Sequence, residues 1–207
     1  MSEPDDYSRR ALLRQIGISL SLGAAGKGVL AAQDVEHVHQ AVREERAAQK
    51  GPYQPKGLTK HEFATLVRLS DLIIPADEHS PGALAAHAAE FIDFLCSASG
   101  EMKEIYTGGI GWLDWTAQHR GDGDDFLSAS AQKQIALLDL IAGPEAAPAE
   151  LEPGARFFDW ARKMVVDAFY TSPIGIRDLG YQGNTALAEF HVPQEAIDYA
   201  IARSPFA

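Results

Sequence analysis

The sequence predicts an all-α protein: an irregular bundle of five to six helices with a long ordered loop near the C-terminus, preceded by an export signal and a polar linker. Three observations lead there. From residue 58 onward apolar residues recur at spacings of three and four. No stretch holds the period of two that a half-buried strand needs. The periodic runs, roughly 12–18 residues each, are separated by short Gly- and Pro-containing loops, the signature of a bundle.

The chain divides into a leader (1–32), a polar linker (33–57) and one helical domain (58–207). In the leader a charged start containing Arg9 and Arg10 runs into the mild apolar stretch 16–25 and closes on the small residues Ala31 and Ala32, the layout of an export signal. That stretch is too short, and too rich in Gly and Ser, to stay in a bilayer as an anchor. Leu12, two places after the Arg pair, completes a likeness to the twin-arginine consensus. Twin-arginine export carries proteins already folded, often with a cofactor inserted. A cargo lacking a cofactor motif that takes this route implies that it carries something else. In the linker, 33–49 is charged and Ala-rich, with helical potential, whereas 50–57, with two prolines and two glycines, cannot be helical. His37 and His39 read there as an exposed chance pair.

The domain opens on a capping box, Thr59 with Glu62, which starts a helix carrying Phe63, Leu66, Val67, Ile73 and Ile74 until Pro75 stops it. A loop over 75–82 leads to a second helix capped by Ser80, with Pro81 in its first turn and Leu84, Ala88, Phe91, Ile92 and Leu95 as its stripe. A third spans 101–119; Gly108, Gly109 and Gly111 weaken it by about 1 kcal/mol each against Ala. The fourth covers 129–142 and ends at Gly143. The fifth covers 154–171 and carries Phe157, Phe158, Met164, Val165 and Phe169. After an irregular stretch, 171–192, a short helix runs over 193–203.

Composition sets limits on partners. The chain has 207 residues, 46% of them hydrophobic and 23% charged, with a formal charge of −11. The leader, with Glu3, Asp5 and Asp6 against Arg9, Arg10, Arg14 and Lys27, is net positive, so the rest is more acidic still. Such a surface repels nucleic-acid phosphate and anionic lipid, which leaves no nucleic-acid partner and at most a peripheral contact with a membrane. It suits a basic protein partner. One cysteine, Cys96, rules out an internal disulfide framework. It reads either as a buried small hydrophobe or, outside the cytoplasm, as a thiol that bridges to another chain.

Chemistry-bearing motifs are sparse. There is no Gly-rich phosphate loop, no GxSxG elbow and no HExxH. The paired Glu-x-x-His motifs of a di-iron bundle are missing too. His87, Glu90 and Asp93 share one helix side, and that side, opposite Phe91 and Leu95, is expected to be polar in any case. Asp77, Glu78 and His79 concentrate two carboxylates and an imidazole in one loop, but no nucleophile or oxyanion donor accompanies them. A stand-alone metal-binding protein or enzyme using Asp77, Glu78, His79 and His87 is therefore the alternative reading. No catalytic, cofactor-binding or metal-ligating residue is assigned.

The most unusual stretch is 167–184, which breaks a helix at Pro173, turns at Gly175, Gly180 and Gly183-Asn184, and interleaves Tyr170 and Tyr181. A long ordered loop in a small domain is usually functional, and rigid tyrosine surface favours a protein interface. A folded-in core loop is the plainer alternative. Asp77, Glu78 and His79, with Tyr170, Thr171, Ser172, Pro173, Gly175, Asp178, Gly180, Tyr181, Gly183 and Asn184, are the residues expected at a partner surface.

Together the run 73–83, Phe91-Ile-Asp93, Trp112-Leu-Asp114, Phe157-Phe158 and the stretch 170–184 resemble the gluconate 2-dehydrogenase subunit 3 family over about residues 58–203. The resemblance implies a non-catalytic small (gamma) subunit of an FAD-dependent dehydrogenase acting on gluconate, glucose or glycosides, with the FAD in its partner. That partner is a catalytic chain of the glucose–methanol–choline (GMC) type, which often passes electrons to a cytochrome c subunit. The small subunit supplies the signal for the twin-arginine translocase, which places the complex in the periplasm.

Overall fold

The computed structural model describes residues 32–143, 148–181 and 192–204; the leader with Arg9, Arg10 and Leu12, and the positions Gly183 and Asn184, lie outside the described residues. Within them the chain is all-α and forms an irregular bundle, but of nine helices rather than five to six. They are α1 (Ala32–Ala48), α2 (Lys60–Ile73), α3 (Gly82–Ala85), α4 (Ala88–Ala98), α5 (Gly100–His119), α6 (Ala131–Ile141), α7 (Glu152–Tyr170), α8 (Pro173–Asp178) and α9 (Gln194–Ala202).

Each added helix has an identifiable cause. α1 occupies the segment read as linker. Among its described side chains, Val38 and Val42, one turn apart among charged residues, sit in the core at 0% and 3% exposure. Two small side chains cannot announce a buried face in a sequence. The second break is at His87, whose backbone is left-handed (φ 59, ψ 37), so the single helix expected over 80–95 becomes a short turn, α3, and then α4. Histidine visits this region more readily than bulky apolar residues do. The third is α8, in the stretch read as an irregular loop. There Ser172 accepts from the Gly175 N–H at 3.1 Å and Pro173 fills the first helical turn, a helix start built from the very residues taken as a breaker.

Elsewhere local signals and structure coincide. The Thr59 hydroxyl accepts from the Glu62 N–H at 3.2 Å, and the Glu62 carboxylate accepts from the Thr59 N–H at 2.7 Å, closing the capping box of α2. α5 runs unbroken through Gly108, Gly109 and Gly111, capped by Ser99.

α4 is the axis of the bundle and packs against α1, α2, α5 and α7. Eight of its residues are buried, which makes it apolar nearly all round, as a central helix must be. Around it Leu66, Leu69, Tyr106, Ile110, Leu113, Phe157 and Val165 close the core. Tyr106 meets Phe157 edge to face, ring centroids 5.8 Å apart.

One polar contact docks α1. His39 is 7% exposed, in contrast to the exposed pair expected at 37 and 39; His37 alone is exposed. Its ring lies 4.7 Å from that of Phe91, and its Nε2 lies 2.9 Å from the Thr171 hydroxyl. Since that hydroxyl donates to the Asp167 carbonyl, Nε2–H is the donor to it. Burial, and then the nearby Arg43 charge, lower the His39 pKa to about 4. In the unfolded chain it titrates near 6.5. The contribution of His39 is therefore complete above about pH 6.5 and is lost as pH falls toward 4. Stability measured by urea unfolding should drop between pH 7 and 4.5 by about 2–3 kcal/mol more in the wild type than in His39→Gln. Equal drops would remove His39 as the cause.

Candidate functional site

The loop between α2 and α3 is held from inside. The Asp77 carboxylate accepts from the N–H of His79 at 2.8 Å and of Ser80 at 2.7 Å, which keeps its pKa below the ordinary carboxylate range. The Asp77 N–H donates to the Ser80 carbonyl at 2.8 Å, and the Ala83 N–H to the Ile74 carbonyl at 2.9 Å, closing the loop at its base. Gly82 has φ +74, and a Cβ there would lie 2.6 Å from the Ala76 nitrogen, so this corner requires glycine. Asp77 is thus consumed in shaping the turn. The side chains of Glu78 and His79 point to solvent, 84% and 80% exposed and 3.3 Å apart. The loop presents a carboxylate and an imidazole to solvent on a backbone closed by hydrogen bonds.

His87, Glu90 and Asp93 part company. The Glu90 carboxylate lies 3.3 Å from the His87 Nδ1 and also takes the Arg46 guanidinium, which ties α4 to α1. Asp93 turns inward and is fully buried, contrary to the polar surface expected there. Its Oδ1 accepts from the N–H groups of Gly57 and Leu58 at 3.0 and 2.9 Å. Its Oδ2 accepts from the Lys56 N–H at 2.9 Å and the Tyr53 hydroxyl at 2.8 Å. Burial, with the Asp93 charge next, pushes the Tyr53 phenol pKa well up, so the phenol stays protonated and donating. One carboxylate thereby fixes the whole segment 53–58 against α4. Sequence reasoning missed this clamp, although a lone Asp in the apolar run 91–96 was the signal for it. Among the described residues no group of three His, Cys, Asp or Glu side chains could hold a metal, so the alternative metal-site reading is not favoured.

The second motif splits between inside and outside. Ser172, 1% exposed, donates to the Phe169 carbonyl at 2.6 Å. Gly175 is buried, and a Cβ there would come within 2.2 Å of the Phe169 carbonyl oxygen. With Thr171 bound to His39, these residues build the corner between α7 and α8. Pro173, Asp178 and Gly180 lie on the exposed side, and Gly180 ends the turn at φ +62. Tyr170, Ile176, Leu179 and Tyr181 present apolar surface, at 37%, 38%, 61% and 60% exposure. The part of the stretch within the described residues is a packed corner with an apolar outer skin.

Residues 60–187, more than half of the chain and covering α2 through α8, match the family described as Gluconate 2-dehydrogenase subunit 3. The chain belongs to this family. It has the non-catalytic small-subunit role that membership carries. No curated protein and no solved structure matches the chain. α1 and α9 both fall outside the matched span.

The pocket between α5 and α7, about 530 Å³ and broadly open, is lined by Ile105, Trp112, Phe157 and Trp160 over Gly108 and Gly109, with Glu152, Arg156 and Asp159 also lining it. The Trp160 Nε1 is buried without a hydrogen-bond partner. Gly109 is required by packing, since a Cβ would lie 2.0 Å from the Phe157 ring, whereas one at Gly108 or Gly111 would meet nothing within 4 Å. Cys96 is a free thiol, 2% exposed, its pKa pushed up to about 12 by burial and then by the Asp93 charge. That burial favours the packing reading; a bridge to another chain would require this face of α4 to be uncovered. Among the described residues no helix is long and apolar enough to cross a membrane.

Proposed function

We propose that this small subunit escorts and stabilises an FAD-dependent dehydrogenase of the GMC type, acting on a sugar, sugar acid or glycoside, through twin-arginine export to the periplasm. The observation that carries the reading is the subunit 3 match over residues 60–187. The leader supports it: Arg9 and Arg10 with Leu12 lie in a segment whose charge and apolar pattern fit export. Two rigid outward features support the escort role. The 74–83 loop holds Glu78 and His79 in fixed positions, and the α7–α8 corner exposes Tyr170, Ile176, Leu179 and Tyr181. Pre-organised tips and exposed tyrosines bind a partner with little ordering cost. In this reading the FAD and the catalytic residues belong to the larger chain, a cytochrome c subunit accepts the electrons, and the complex touches the membrane peripherally at most.

Co-expression with the cognate FAD dehydrogenase chain tests the escort. With Arg9→Lys/Arg10→Lys, flavin-linked sugar oxidation should remain in the cytoplasm, with the periplasmic fraction falling at least about tenfold. Export of the partner at the wild-type level by this double variant would refute it.

A further inference from the structure

Among the described residues, α9 packs its apolar face against almost nothing. None of its nine residues is buried, and Tyr199 and Ile201 are 61% and 56% exposed. Its sequence is nonetheless two-faced. At 100° per residue, Ala196, Ile197, Ala200 and Ile201 fall on one side, and Gln194, Glu195 and Asp198 on the other. The polar side is already braced: the Gln194 amide donates to the Asp198 carboxylate at 2.8 Å, and the Arg203 guanidinium sits 3.9 Å over the Tyr199 ring. Helices shorter than about 12–15 residues are marginal in water and draw stability from packing of their apolar face. Here that face packs on little, with Ile197 alone half-buried. This is the form of a helix that lies in a groove of another molecule, read through anchors four residues apart.

Charge indicates which molecule. Glu195 and Asp198 are the only ionisable groups of α9 apart from Tyr199, and the whole chain carries −11. A second copy would set this acidic helix against an equally acidic surface, which is unfavourable. The complementary surface has an apolar floor and a basic rim and belongs to a different chain.

We infer that α9 is a docking helix, its Ile197/Ile201 face seated in an apolar, basic-rimmed groove of the larger dehydrogenase subunit. This rests on the subunit reading above. Because no residue of α9 is buried among the described residues, substitutions on it should leave the bundle intact, which far-UV circular dichroism of the variant would verify. The full chain and Ile197→Glu/Ile201→Glu are each co-expressed with the cognate tagged FAD dehydrogenase chain and assayed by co-purification, then by Kd at low and high NaCl. The expected result is wild-type co-purification, at least a tenfold weaker Kd in the variant, and wild-type binding that weakens with salt. Equal binding by wild type and variant overturns the docking helix while leaving the subunit reading in place. Failure of the wild type to co-purify overturns both. Wild-type dimers in size-exclusion chromatography that the double variant abolishes would assign the face to a second copy and overturn the inference.

Discussion

Asp93→Ala should lower the unfolding free energy of the subunit by about 3–5 kcal/mol, the range for removing one partner from a buried, charged hydrogen-bond cluster. The size follows from what the carboxylate leaves behind. The N–H groups of Gly57 and Leu58 point into a buried site, and without Asp93 they lose their acceptor. Asparagine should not rescue. Backbone N–H donors meet both carboxylate oxygens, so whichever way an amide is placed its NH₂ faces at least one of them. The loss should be local first, because residues 53–58 join α1 to α2. Trypsin should cut after Lys50 and Lys56 in Asp93→Ala at times when the wild type is intact, and the urea midpoint should fall in both variants. A midpoint within the error of the wild type for Asp93→Ala would show that the clamp contributes nothing to the fold.

Gly109→Ala and Gly108→Ala should move stability in opposite directions although the residues are neighbours on one helix. Both gain the helix propensity of alanine, about 1 kcal/mol. At Gly108 nothing on the chain opposes that gain, so the isolated subunit should become more stable by up to about 1 kcal/mol. At Gly109 the added methyl falls inside the ring of Phe157, itself 5% exposed and wedged against Tyr106. The ring cannot retreat without disturbing the middle of the core, and overpacking of this kind costs about 1–3 kcal/mol and occasionally more. The net expectation is a destabilised Gly109→Ala beside a stabilised Gly108→Ala, read as urea midpoints of the two single variants. If Gly109→Ala matches or exceeds wild-type stability, α5 and α7 pack less closely than the structure shows.

These variants also show where sequence and structure part. The capping box at Thr59 and Glu62, the stop at Pro75, the aromatic stripe of α7 and the absence of strand periodicity are local properties, and they delivered the helical class and most helix positions. The helix count was not local. α1 is held by Val38, Val42 and His39, three modest side chains that look like surface until Phe91 and Thr171 are set against them. α8 was hidden because Ser-Pro reads equally well as the end of one helix and the start of the next.

The same division runs through the functional residues. Asp77, Glu78 and His79 were legible as a charged loop, but only the hydrogen bonds to the His79 and Ser80 N–H groups separate Asp77, which shapes the turn, from the two tips that face solvent. His87, Glu90 and Asp93 shared a helix side in sequence and have three different surroundings in space. By its own pattern of residues the sequence determined the helical class, the acidic character and the family, because each is carried by neighbours in the chain or by composition. The tertiary structure alone decided which carboxylate is a buried clamp, which glycine is indispensable and which histidine is neutral, because each answer depends on a group far away in the chain that folding brings within 3–5 Å.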